Sequence, residues 1–216
     1  MAHLKRQKTP KRWPIARKGT TFVVHPNTNL ERGVPLLIIL RDMLKICQTR
    51  KEVKRIIHDK KILINGKEAK DDKNSLLLFD TLAIIPTKKF YKIGLLPNGK
   101  YGLQEIKETE INSKITKIIG KKILKGKKIQ LNLRDGKNYL SDLKCSIGDS
   151  VIIDLKNKKI LKCLPLKEKT KIIIVEGKHA GKEGVVEKIL KEKKMARLNL
   201  EGKEIDVLIK QIMEIE

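Results

Sequence analysis

Acidic side chains are scarce in this chain: 25 Asp and Glu stand against 50 Lys and Arg, and the formal net charge is +25. A compact body with that imbalance repels itself unless something acidic neutralises it. A polyanion is the natural partner, bound through phosphate contacts with release of counterions. Charge alone does not separate RNA from DNA or from an anionic membrane surface. Cysteine is also sparse. Cys47, Cys145 and Cys163 are odd in number and far apart, which argues against a disulfide framework or a zinc site and fits reduced thiols in a cytosolic protein. His3, His25, His58 and His179 are scattered, so no metal site is expected. No apolar run approaches the roughly 18 residues of a membrane-crossing helix. The longest, Val34 to Leu40, is interrupted by Pro35. The charged N-terminus is not followed by an apolar region, so it does not read as a signal peptide.

Acid is missing altogether from the first thirty residues, which carry Lys5, Arg6, Lys8, Lys11, Arg12, Arg17 and Lys18. Pro10, Pro14 and Pro26 break any regular pattern there. This predicts an extended basic arm, disordered until it meets RNA. Trp13, the single tryptophan, has two readings: stacking on a base or sugar, or anchoring the arm to the protein's own surface.

Order is expected to begin at Pro35, a residue suited to the first helical position. Leu36, Leu37, Leu40, Met43, Leu44 and Cys47 recur at helical spacing, with Arg41 and Lys45 between them. Thr49 with Glu52 three residues on is a capping-box signature for a second helix. Val53, Ile56 and Ile57 give that helix an apolar stripe, and Arg50, Lys51, Lys54 and Arg55 a basic face. Little acid balances that face beyond Glu52 and Asp59. Ile62 and Ile64 followed by Asn65-Gly66 predict a strand entering a tight hairpin. Leu76 to Phe79 and Leu82 to Ile85 supply further strands. From Phe90 the texture becomes β, except for a helical or irregular piece over Glu108 to Ile119. Pro165 to Lys169 reads as a linker. After it come a strand over Lys171 to Val175, a loop punctuated by Gly177, Gly181 and Gly184, and a hairpin turning at Glu201-Gly202. This spacing of short strands suggests a small barrel.

Two segments resemble known RNA-binding units. Thr49-Arg50, Val53, Arg55, Ile56 and Ile64-Asn65-Gly66 resemble the S-four type of RNA-binding domain, in which two helices pack on a small twisted sheet. The resemblance implies that the basic face of the second helix and the following hairpin grip folded RNA. This chain departs from the pattern over Lys70 to Asp80, with Asn74-Ser75 and Phe79-Asp80 in place of a proline turn and a Gly-Asp pair. Val175 to Val186, with its three glycines, looks like a KOW motif, where Lys178, His179 and Lys182 point to phosphate or protein contacts.

Phrases along nearly the whole chain fall in the order of the archaeal and eukaryotic-type small-subunit ribosomal protein S-four-e family. They run from His3-Leu4-Lys5-Arg6 and Pro10-Lys11-Arg12-Trp13 to Gln130 through Asn138, Gly148 to Asp154 and the closing KOW segment. The resemblance implies an α+β protein of several modules. These are a basic arm over 1–35, an S-four-like domain over 36–88, a central β-rich domain over 89–168 and a KOW-type small β-barrel over 169–216. It further implies a cytoplasmic, ribosome-bound structural role, with small-subunit ribosomal RNA and neighbouring ribosomal proteins as partners and no membrane, small-molecule substrate or cofactor. The expected RNA contacts are Lys5, Arg6, Lys8, Lys11, Arg12, Trp13, Arg17, Lys18, Arg41, Lys45, Arg50, Lys51, Lys54, Arg55, Lys60, Lys61, Asn65, Lys67, Lys178, His179 and Lys182. The acidic end, Glu214 and Glu216, is expected to face neighbouring proteins.

An RNA-modifying enzyme is the obvious competitor, because S-four-like domains also accompany catalytic ones. The region 90–168 is too short for a deep second domain. Glu105, Glu108, Glu110, Asp135, Asp142, Asp149 and Asp154 lie mostly in turns or beside lysines. They read as turn formers and charge balancers, not as catalytic bases. A free RNA-binding or transcription factor built on the KOW barrel is the other alternative. The N-terminal arm and the helix pair speak against it.

Overall fold

A computed structural model describes residues 3–141, 143–190, 193–200 and 202–215. Asp142, Glu201 and Glu216, named above, lie outside the described residues. The described residues are mostly β, with two short α-helices and four single 3-10 turns. It divides into two units, one running to Leu96 and including Lys100–Asn112, the other comprising Pro97–Gly99 and the chain from Ser113 onward.

In the first unit, β1 (Leu4–Lys5) pairs with β2 (Phe22–Val23), and β3 (Gly33–Pro35) pairs with a later strand. The N-terminal segment is therefore folded back on itself, which corrects the expectation of a disordered arm. Pro35 closes β3 in an extended conformation and caps α1 (Leu36–Ile38) from outside, one residue short of its expected place. The helix then loosens into a π turn over Ile39–Met43, and Lys45, at φ 54°, stops it before Cys47. Leu36, Ile38, Ile39 and Leu40 are almost completely buried. The second helix, α2 (Arg50–His58), has the full capping box: the Thr49 hydroxyl accepts from the Glu52 backbone N–H, and the Glu52 side chain reaches back to the Thr49 N–H. Val53 and Ile57 are its buried stripe.

Strands β4 (Ile62–Ile64) and β5 (Lys67–Glu68) form the tight hairpin, with Ile64 opposite Lys67. Asn65 and Gly66 both have positive φ, 51° and 73°, the backbone that a two-residue turn matching strand twist demands. Next come β6 (Ser75–Leu77), β7 (Thr81–Ile84), β8 (Lys89–Leu95) and β9 (Tyr101–Glu105). β6 leaves the main sheet to pair with β3, and the five-stranded order is β5-β4-β7-β8-β9. The expected break at 88/89 falls inside this sheet, because β8 is in register with β7 from Thr81↔Lys92 to Ile84↔Lys89.

The second unit opens with its longest strand, β10 (Ser113–Ile123), where a helical or irregular piece over Glu108 to Ile119 was expected; of that span only Glu108–Glu110, in the first unit, is helical, as a single 3-10 turn. The sequence of β10 hides it: Lys114, Thr116 and Lys117 are buried, so the covered positions on its two faces do not read as apolar. With β11 (Ile129–Leu133), β12 (Asn138–Leu140), β13 (Ser150–Asp154) and β14 (Lys159–Leu164) it forms a sheet of order β12-β11-β10-β13-β14. Ile118, Leu131, Leu133, Cys145, Val151 and Ile153 make its core. The last sheet contains β15 (Lys171–Ile174), β16 (Glu183–Leu190), β17 (Met195–Leu200), β18 (Lys203–Leu208) and β19 (Ile212–Glu214), ordered β18-β17-β16-β15-β19. Gly184 is required there by contact, since a Cβ on it would lie 2.6 Å from the Asn199 carbonyl oxygen.

Candidate nucleic-acid interface

The cations of α2 define the densest basic surface foreseen from the sequence. Arg50, Lys51, Lys54 and Arg55 are exposed, opposite the buried stripe. Cations three and four residues apart lie together on a helix surface, at a spacing suited to adjacent phosphates. The acid within the helix does not cancel them. The Glu52 carboxylate turns back to the N-terminus, accepting from the Gln48 N–H at 2.8 Å and the Thr49 hydroxyl at 2.8 Å. Those hydrogen bonds hold its pKa below the usual carboxylate value.

Arg50 differs from its neighbours. Its guanidinium donates to Asp72 at 2.6 and 3.3 Å, and the Asp72 side chain is fully buried. Burial opposes ionisation of Asp72, yet the hydrogen bonds and positive charge of Arg50, with the charge of Lys54, favour the carboxylate and the net shift is downward. The expectation that little acid balances this face therefore needs correction at Arg50. The one available signal was the Asp71-Asp72 pair, but its partner lies 22 residues away and no local pattern names it.

Other expected contacts are partly committed within the protein. Asn65 accepts from the Thr81 N–H at 3.0 Å and donates to Asp80 at 2.8 Å, so its amide fastens the hairpin to β7. Lys60 pairs with Glu68 at 3.2 Å, Lys61 with Asp59 at 2.9 Å, and Arg41 with Asp42 at 2.9 Å. Lys45 and Lys67 are exposed.

In the N-terminal segment Lys5, Lys8, Lys11, Arg17 and Lys18 are exposed and Arg12 is half-buried. The Arg6 guanidinium instead donates to the carbonyls of Thr20 at 2.7 Å and Ala16 at 2.8 Å, closing a loop. Trp13 is 1% exposed, and its indole N–H donates to the Gly33 carbonyl at 2.9 Å. Its ring faces are covered, which corrects its assignment as an RNA-stacking residue and leaves the anchoring alternative.

In the glycine loop, Lys178 and Lys182 are exposed and His179 is half-buried. The loop is pinned at its base, where the Gly181 N–H donates to the Ile174 carbonyl at 2.7 Å and the Val175 N–H to the Gln211 carbonyl at 2.7 Å. Glu214 corrects another expectation. It is 2% exposed, its N–H donates to the Ser150 hydroxyl at 3.1 Å, and that hydroxyl donates to its carboxylate. It is a core acid, so it offers no surface to a neighbour.

Two buried lysines of β10 were not foreseen. Lys114 pairs with Asp135 at 2.9 Å with both side chains almost fully buried. Lys117 donates to the carbonyls of Ile209 and Ile212, the latter at 2.6 Å. Burial pushes its pKa down to about 8, Glu214 and Asp149 opposing and Arg134 adding to the shift. Asp149 receives the N–H groups of Ser146 at 2.8 Å and Leu166 at 3.2 Å, and Asp154 those of Lys156 and Asn157. These acids are used as turn acceptors. Among the described residues no group of three or more His, Cys, Asp or Glu is placed to hold a metal ion, and no helix is long and apolar enough to cross a membrane.

Fold and surface together define a class: a basic protein of small β-rich modules in which many cations face solvent, while Asp72, Asp80, Asp149 and Glu214 are buried. The pattern of the Ribosomal family S4e matches residues 87–160, and that of the RS4NT domain residues 2–28. The chain is 37% identical over 190 residues to the small ribosomal subunit protein eS4 of Methanocella arvoryzae, covering 87% of this chain and 80% of that one. It is 34% identical over 193 residues to the eS4 protein of Nanoarchaeum equitans, covering 88% and 82%. Its fold is also similar to the crystal structure of the 30S ribosomal protein S4e from Thermoplasma acidophilum, with a TM-score of 0.73 at 23% identity, over 86% of this chain and 95% of that one. The chain belongs to the ribosomal S4e family.

Proposed function

We propose that this protein is a structural constituent of the small ribosomal subunit that binds and stabilises small-subunit ribosomal RNA in the cytoplasm, beside other small-subunit proteins. The observation that carries this reading is the 37% identity to an eS4 protein over 87% of the chain. The net charge of +25 supports it, because the protein needs a polyanion to neutralise it. In this reading α1, its π turn and α2 on the first sheet act as an S-four-like module, and β15–β19 with the glycine loop act as a KOW-type barrel. The modules are the N-terminal segment to residue 35, the S-four-like module from residue 36 with β8 and β9 completing its sheet, the central sheet β10–β14, and the barrel over 169–216. The RNA contacts are the exposed cations Lys51, Lys54, Arg55 and Lys67, the N-terminal Lys5, Lys8, Lys11, Arg17 and Lys18, and Lys178 and Lys182 of the loop. Arg12, Arg41, Lys45, Arg50, Lys60, Lys61 and His179 act at its margin.

Sucrose-gradient sedimentation of the tagged protein across rising salt tests the reading. The wild-type protein is expected to stay with the small-subunit peak to high salt. Release into light fractions at low salt, with the subunit intact, would refute an integral role. Lys54→Glu with Arg55→Glu is expected to weaken RNA binding about tenfold or more with the unfolding midpoint unchanged, since each reversed charge removes a phosphate contact. Lys54 and Arg55 are exposed on the helix, whereas Arg50→Glu would set a second carboxylate beside buried Asp72.

A further inference from the structure

No acid occurs between Ile111 and Arg134, and that stretch includes the hairpin formed by β10 and β11. The nearest acid, Asp135, is consumed by buried Lys114. Lys117 is buried, and Lys121 donates to the Cys145 carbonyl at 3.3 Å. Lys122, Lys125 and Lys128 remain, all exposed.

The register sorts the side chains of β10–β12 into two faces. Leu131 and Leu133 turn inward to the core. The alternate positions turn outward: Lys122 opposite Gln130 and Gln130 opposite Leu140, then Gly120 opposite Asn132 and Asn132 opposite Asn138. The outer face thus carries three side-chain amides beside a lysine, with an exposed Leu140 at the edge. Gln130 donates to Asn132 at 2.8 Å, which fixes both amides and leaves further donors and acceptors outward. Gly120 adds no side chain to the middle of the face. No carboxylate stands on these paired positions.

We infer that this outer face of β10–β12, with the Lys125 and Lys128 hairpin tip, is a second RNA-docking surface. It takes a segment of structured RNA whose phosphates meet Lys122, Lys125 and Lys128 and whose base edges or 2′-hydroxyls meet Gln130, Asn132 and Asn138. Charge complementarity selects the partner. Exposed lysines that form no ion pair among the described residues, with no carboxylate on the paired positions beside them, suit phosphates, and fixed amides present the donor and acceptor pairs that read bases and 2′-hydroxyls. A protein partner would have to bring carboxylates to the same lysines. The inference rests on the proposed ribosomal RNA-binding function and adds a contact surface to it.

The test uses the full chain and a transcript of small-subunit ribosomal RNA, titrated at several salt concentrations. Lys122→Gln/Lys125→Gln/Lys128→Gln is expected to bind about tenfold more weakly at moderate salt. Its slope of log affinity against log salt should be shallower by about 2, as loss of three phosphate contacts requires. Gln130→Ala/Asn132→Ala is expected to keep the slope while narrowing the preference for this transcript over an unrelated RNA of equal length. Thermal unfolding checks that both variants fold. Wild-type affinity and slope in the folded lysine variant would overturn the inference and leave the α2 surface standing. Unchanged RNA binding with lost incorporation into subunits would also overturn it, assigning the face to a protein. A wild-type chain without preference for small-subunit RNA would overturn both readings.

Discussion

Lys117 shows how one side chain can cost stability and still hold a structure together. Its ammonium sits among the carbonyls of Ile209 and Ile212, near Glu214, Asp149 and Arg134. Burial lowers its pKa from 10.5 to about 8. The unfolded chain therefore holds this proton more tightly than the folded one. Below pH 8 both states are protonated and the penalty is constant. Between about 8 and 10.5 the folded state is neutral while the unfolded state is charged, so the stability contributed by this site rises with pH. The expected outcome is that wild-type protein gains a few kcal/mol over that window relative to Lys117→Met. Unfolding free energies of the two proteins, measured by denaturant titration at each pH, give the comparison. Parallel curves would show that Lys117 keeps its ordinary affinity for the proton.

At the scale of single elements, α2 was fully legible from sequence and β10 was not. The helix announces itself locally. Thr49 and Glu52 supply the cap, and Val53 and Ile57 fall on one side of it. Thr49→Ala is expected to lower the unfolding free energy by about 1 kcal/mol, with Thr49→Ser close to wild type, because the hydroxyl satisfies an otherwise orphaned N–H. Equal urea midpoints for Thr49→Ala and wild type would remove the cap from the account. β10 depends on distant partners. Its inward Lys114 and outward but covered Lys117 are satisfied by Asp135, Ile209 and Ile212, and alternation disappears when lysines occupy buried positions. The same limit hid the Asp72 partner of Arg50. The Asn65-Gly66 turn was legible for the opposite reason: both residues that need positive φ are adjacent in sequence.

For the whole molecule, many of the strands could be read along the chain, but their pairing could not. The β8 and β9 strands were visible as strands, yet only their register with β7 places them in the first sheet. Likewise, charge predicted a polyanionic partner but not which cations remain available to it. Arg6 closes a loop, and Arg50 neutralises a buried carboxylate, while Lys51, Lys54 and Arg55 face solvent. The salt sensitivity of RNA binding should therefore reflect this smaller set of cations and fall well short of the full count of Lys and Arg.

The docked indole of Trp13 gives the N-terminal segment an optical signature. It is the single tryptophan of the chain, shielded from water and hydrogen-bonded to Gly33. Indole emission moves to longer wavelength when water reaches the ring, so the spectrum of the intact protein reports on this one anchorage. A red shift on adding RNA, with the sheets intact by circular dichroism, would mean that the segment lets go of its own protein to reach its partner. An unchanged spectrum would mean that it meets RNA already shaped, with its lysines presented on a folded loop.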